Sequence, residues 1–191
     1  MILPMPNYNA TMARKGQRMT PKPKKRWVLL EEWAKAEGWT RLAEIGVWKG
    51  TTFIYLLEHC PRLTVYGVDI WDAYFNHGAK RERVVSQAEQ EANYRLVCER
   101  ARPHGGRAVI IKARSVDAAQ GIADGSLDCV FIDADHTEEA VTGEIRAWRP
   151  KIRAGGLLSG HDARVPGVRA AINAMAPGWT QYDNDVWGLR V

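Results

Sequence analysis

The chain has 191 residues, enough for one domain with a sizeable core, and its 46% hydrophobic and 26% charged residues are ordinary for a globular fold. No apolar run approaches the roughly 20 residues that cross a bilayer, which excludes a helical membrane protein; the opening Met1-Ile2-Leu3-Pro4-Met5-Pro6 is too short and proline-broken for a signal peptide. The net charge of +5 is unevenly placed: residues 1–26 hold seven basic side chains and no acidic one, leaving 20 basic against 22 acidic in the rest, so this segment reads as a solvated, flexible leader, and a nucleic-acid partner would be engaged only through it.

Residues 27–191 read as one domain. Trp27, Leu30, Trp33, Ala34 and Glu37 follow helical spacing, and Gly38 ends the run. Arg41–Val47 predicts a strand with a turn behind it, Thr51–His59 a helix stopped by Pro61, and Leu63–Asp69 a second strand. A long polar stretch follows, with helical spacing from about Ala79 to Arg102 (Val84, Val85, Ala88, Ala92, Leu96) and a close at His104-Gly105-Gly106. Ala108–Lys112 predicts a third strand, Val116–Ile122 a short helix and Leu127–Ile132 a fourth, buried strand. Glu138–Lys151 predicts a helix, Leu157-Leu158-Ser159 a fifth strand, and Pro166–Met175 a helix with proline in its first turn. Trp179–Tyr182 and Val186–Val191 flank Asp183-Asn184-Asp185 as a hairpin. The alternation predicts an α/β fold: a doubly wound, mostly parallel seven-stranded sheet of Rossmann-like type with a C-terminal antiparallel hairpin.

Ligands of such sheets bind beyond the carboxyl ends of the strands. Those ends carry Glu44 and Gly46, then Asp69, Ser115, Asp133 with Asp135 and His136, and His161 with Asp162. Gly46 and Gly50 bracket a turn into a helix, which suits close backbone approach to a ligand, although the loop is not GxGxxG. Asp69 lies 23 residues past Gly46, where a carboxylate can accept both hydroxyls of a ribose. Asp133 and His161-Asp162 end neighbouring strands about 4.8 Å apart and can converge on one ion. Carboxylates suit Mg²⁺, and His161 would admit Mn²⁺ or Fe²⁺. Alternatively, Asp162 caps the following loop and His161 is a satisfied polar residue. His136, three residues after Asp133, is placed to take a proton from a bound hydroxyl. Cys60, Cys98 and Cys129 form no CxxC pair and read as reduced thiols of a cytoplasmic protein.

Glu44-x-Gly46-x-x-x-Gly50, Asp69, Phe131-Ile132-Asp133-Ala134-Asp135-His136 and Gly155-Gly156-Leu157-Leu158-Ser159-Gly160-His161-Asp162 resemble class I S-adenosylmethionine-dependent methyltransferases. Within them the chain is similar to the small group related to macrolide-sugar O-methyltransferases and cephalosporin-hydroxylase-type proteins. The resemblance runs from about residue 27 to the end. It implies that Glu44 and the loop Gly46, Val47, Trp48, Gly50, Thr51 and Thr52 face the methionine end of S-adenosylmethionine. It further implies Asp69 at the ribose, Ile70 and Trp71 at the adenine, and Ser115 at the adenine edge, with Asp133 lining the same site. Trp48 departs from the glycine usual there, so it either packs or touches the cofactor.

The expected activity is metal-assisted O-methylation of a small-molecule hydroxyl, sugar or aromatic. Asp133, His161 and Asp162 would hold a divalent metal, and His136 and Asp133 would act on the acceptor. A nicotinamide oxidoreductase would need GxGxxG, and a base N-methyltransferase an Asn/Asp-Pro-Pro-aromatic motif where Asp133-Ala134-Asp135-His136 stands. A non-heme iron oxygenase using His136, His161 and Asp133, or a catalytically silent cofactor-binding protein, are the other readings. Residues 71–93, with Trp71, Tyr74, Phe75 and His77, exceed a tight loop and would form a lid or acceptor wall. A homo-oligomer is compatible with the sequence.

Overall fold

The computed structural model describes residues 23–76 and 83–191. Most of the basic leader, along with His77 of the acceptor wall, lies outside the described residues; its last residue, Arg26, instead opens the first helix, α1 (Arg26–Glu37).

Seven strands form one sheet: β1 (Arg41–Ile45), β2 (Thr64–Asp69), β5 (Ala108–Lys112), β6 (Leu127–Ile132), β7 (Ile152–Gly160), β8 (Thr180–Gln181) and β9 (Trp187–Arg190). Their order is β5-β2-β1-β6-β7-β9-β8, with the first five parallel and β9 antiparallel to both β7 and β8. The chain winds outward from β1 to β5, then crosses back to β6 on the other side of β1. That reversal leaves a crevice between the carboxyl ends of β1 and β6.

Alternation across each strand sorts the core into two layers. Leu42, Cys129 and Phe131 pack on α1, α2 (Thr51–His59) and α3 (Gln87–Ala101). Ala43, Ile45, Val130 and Ile132 pack on α4 (Ser115–Ala118), α5 (Glu138–Trp148) and α6 (Pro166–Met175). Glu44 falls in register with Leu42 and so enters the α1–α2 layer. At the opposite end of the sheet, Asp128 accepts from the Thr40 and Arg41 amides and from Arg153 Nε, tying the starts of β1, β6 and β7 together. No described helix is long and apolar enough to cross a membrane, and the three cysteines are unpaired.

The fold differs from the sequence reading chiefly before α3. Val84 and Val85 belong to β4 (Arg83–Val85), which pairs with β3 (Tyr74–Asn76) in a separate hairpin, and the helix begins only at Gln87. The stop signal was present: Ser86 caps the helix by accepting from the Glu89 amide at 3.2 Å, and β-branched valines before a Ser-x-x-Glu box favour strand over helix. The fifth strand is also longer than expected, since β7 begins at Ile152 and runs through Gly155-Gly156.

Candidate active site

The strand ends deliver the candidate residues to the crevice. Gly46 has φ +90°, and a Cβ there would stand 2.3 Å from the Asp133 carbonyl oxygen, so glycine alone lets the first loop press against the end of β6. Gly50, at φ +75°, forms the N-cap of α2 ahead of exposed Thr51 and buried Thr52. Between the glycines, Val47 is buried while Trp48 is exposed and left-handed at φ +50°.

Asp69 holds this loop. Its Oδ2 accepts from the Val47 amide at 2.9 Å and the Trp48 amide at 2.7 Å, and its Oδ1 from the Trp71 amide at 2.8 Å. Trp71 is also left-handed (φ +47°), and its Nε1 donates to the Trp48 carbonyl at 2.9 Å. One carboxylate therefore pins two residues in a conformation that side chains disfavour. The sequence reading gave Asp69 to a ribose; here three backbone amides use it first, and a ribose would share its remaining lone-pair capacity.

Two expected adenine contacts sit differently. The Trp71 ring is fully buried, with its centroid 4.9 Å from that of Tyr94, whereas neighbouring Ile70 is exposed. With no exposed surface, Trp71 belongs to the core, so Ile70 and not Trp71 is presented at the strand end. Ser115 turns its hydroxyl to the seam between α4 and α5, accepting from Trp148 Nε1 at 2.9 Å close to the Glu144 carboxyl. Glu144 was not anticipated from sequence. It is buried, burial pushes its pKa up to about 8, and its Oε2 has no hydrogen-bond partner.

Glu44 is likewise buried at the end of β1, next to Thr52, with Oε2 lacking a hydrogen-bond partner among the described residues. Burial, reinforced by the nearby Asp133 charge, holds its pKa well above the usual range. Beside it lies Arg26, whose Nε is 3.1 Å from Asp133 Oδ2 and 3.3 Å from Thr52 Oγ1. No sequence signal marked Arg26, because it reads as one more charge of the leader.

Asp133, His136, His161 and Asp162 gather at the ends of β6 and β7, which pair at Ile132 and Gly160. Asp162 Oδ2 lies 3.0 Å from His136 Nε2 and 3.1 Å from His161 Nδ1; His161 Nδ1 lies 3.6 Å from Asp133 Oδ1. Burial raises the Asp133 pKa to about 6 despite Arg26 and His161. Burial also opposes ionisation of Asp162, but hydrogen bonds from the two histidines hold its pKa well below the usual range. The bond to Asp162 in turn raises the His136 pKa against desolvation.

Asp133, His136 and Asp162 offer ligand atoms that all lie within 4.8 Å of one another. Oxygen and imidazole donors at this spacing fit a small divalent cation. The sequence assigned His161 to such an ion and His136 to the acceptor; the structure brings His136 into the compact group as well, with His161 at its border. Among the four side chains His136 is the most open, at 42% exposure against 26% for Asp162, 14% for His161 and 10% for Asp133.

A family model described as a methyltransferase domain matches residues 43–163. A sequence search of curated proteins gave no significant match. Solved structures similar to this chain include a Staphylococcus aureus protein provisionally assigned as a caffeoyl-CoA O-methyltransferase (13% identity, TM-score 0.64, covering 90% of this chain and 86% of that one). Another is an O-methyltransferase from Bacillus cereus in complex with SAH (15%, TM-score 0.61, 87% and 80%), and a third is the O-methyltransferase NovP (15%, 0.61, 86% and 77%). At these identities the likeness establishes a shared fold.

Proposed function

The chain belongs to the methyltransferase-domain family matched over residues 43–163, and on that premise we propose that it is an S-adenosylmethionine-dependent O-methyltransferase whose acceptor is a small-molecule hydroxyl activated beside Asp162. The observation that carries this reading is the His136–Asp162 pair, set next to Asp133 at the strand ends that flank the glycine loop. O-methyltransferase structures of the same fold support it.

The residues fit the cofactor. Glu44 Oε2, buried and without a hydrogen-bond partner among the described residues, can accept from an ammonium group, and Gly46 brings the first loop against the end of β6. When bound, the cofactor supplies an electrophilic methyl group. Asp69 keeps the loop in shape and Ile70 offers apolar surface beyond it.

A hydroxyl is a poor nucleophile at neutral pH, so its proton must be drawn off as the new bond forms. His136 is the group to take it, because the base must reach the acceptor and His136 is the most open member of the cluster. Asp162 orients the imidazole and stabilises its charged form after the transfer. Asp133 and Asp162, with His161 at the border of the group, would hold a divalent metal, Mg²⁺ by donor type, which would supply a Lewis acid to the acceptor oxygen. A metal-free version has its own support, since Arg26 already places a cation on Asp133. The acceptor would be a sugar or an aromatic hydroxyl, with exposed Trp48 and Tyr74 as its neighbours. The unpaired cysteines are in keeping with a reducing, cytoplasmic setting.

Calorimetry with S-adenosylhomocysteine, followed by transfer assays on sugar and aromatic hydroxyls with and without chelator, tests this function. Binding of the cofactor with transfer to oxygen is the expected result. Transfer to nitrogen alone, or no cofactor binding, would overturn it.

A further inference from the structure

We propose that Arg26 is the anchor for the α-carboxylate of the cofactor's amino-acid end, and that Asp133 holds the guanidinium in place until that carboxylate arrives. The inference deepens the cofactor reading above and rests on it. Arg26 lies outside the residues matched by the family model.

Its position is the first argument. Arg26 starts α1 and reaches across α2, so its Nε meets Thr52 Oγ1 at 3.3 Å and Asp133 Oδ2 at 3.1 Å. Thr52 also lies next to Glu44, whose Oε2 has no hydrogen-bond partner among the described residues. A cation and a carboxyl thus lie either side of the buried Thr52, beside the carboxyl end of β1. An α-amino acid group presents the complementary pair, an ammonium and a carboxylate on one carbon.

Its unused capacity is the second. Both polar contacts run through Nε, the guanidinium carbon lies 5.7 Å from the Trp27 ring centroid, and neither Nη nitrogen donates a hydrogen bond to any described residue. A guanidinium fork suits a carboxylate in two-pronged contact. The side chain is 26% exposed, so it is held but not sealed in.

The test compares two ligands that share the nucleoside and differ at the amino-acid end. S-adenosylhomocysteine carries the ammonium and carboxylate; 5′-methylthioadenosine carries neither. In the full-length protein, Arg26→Ala and Arg26→Gln should weaken S-adenosylhomocysteine by about 10- to 100-fold, while leaving 5′-methylthioadenosine binding unchanged. Arg26→Lys should recover part of the loss, and it serves in place of the alanine variant if that one does not fold. Equal loss of both ligands would make Arg26 a clamp on α1, and undiminished binding of S-adenosylhomocysteine would remove it from the site; either overturns the proposal. A parent protein that binds neither ligand would overturn the cofactor reading itself, a result distinct from variants that behave like a binding parent.

Discussion

His136 Nε2 stands 3.0 Å from Asp162 Oδ2, although His161 separates the aspartate from the end of β7 and α5 begins just beyond the histidine. The pair forms because β6 and β7 run parallel as neighbours, so their following loops open on the same side. Asp162 sits at φ +57°, a conformation that costs energy and is held by the loop around it.

Replacing His136 by alanine should lower turnover by about 10²–10⁴-fold, the usual contribution of a general base. S-adenosylhomocysteine affinity should hardly change. Steady-state kinetics on an accepted hydroxyl, paired with calorimetry, separates the two effects. Unchanged turnover would leave the histidine a structural residue.

The Asp162 bond raises the His136 pKa above its ordinary 6.5, so the imidazole stays protonated to higher pH than a free one. In metal-free protein, Asp162→Asn should bring the titration of the His136 ring protons back down, as read by NMR. An unmoved titration would mean that the carboxylate does not govern this histidine.

Metal participation predicts that excess chelator abolishes transfer and that Mg²⁺ restores it. Asp162→Ala should lose both the activity and its response to added metal, because one member of the compact ligand group is gone. Full activity in chelator would assign the chemistry to His136 and Asp162 alone.

Asp69→Ala should act twice. Three backbone amides lose a charged acceptor, which should destabilise the fold by about 1–3 kcal/mol or more. Cofactor affinity should fall by about 10- to 100-fold as the loop relaxes. Urea unfolding and calorimetry on the same variant measure both. Lost affinity with undiminished stability would mean that the amide contacts contribute nothing.

Burial raises the folded-state pKa of Glu144 from 4.5 to about 8. The folded protein therefore holds a proton that the unfolded chain releases, and stability falls as pH rises across that window. Each unit of difference corresponds to about 1.4 kcal/mol, so the loss is on the order of a few kcal/mol. Glu144→Gln keeps the shape of the side chain and removes the ionisable group; its stability should vary less with pH than the parent's. Urea unfolding at the two ends of the window reads the difference, and parallel pH curves would contradict the assignment.

Much of this was legible in the sequence because it depends on local order. The strands that end at Asp69 and Ile132 are short apolar runs between turn signals, Leu157 and Leu158 mark the one that ends at Gly160, and the alternation with helices dictates which ends lie together. Asp133 and Asp162 could be paired from that alone, since parallel neighbours deliver their loops to one side. What required the tertiary structure is where each side chain turns. Arg26, 107 residues before Asp133, reaches the site only because α1 packs across α2. Trp71 is buried and Ile70 exposed, although they are adjacent, because the Asp69 carboxylate fixes a left-handed turn between strand and loop. Sequence patterns carry periodicity, which sets elements and their order; the partner of a polar side chain depends on the distances that packing creates between elements far apart in the chain.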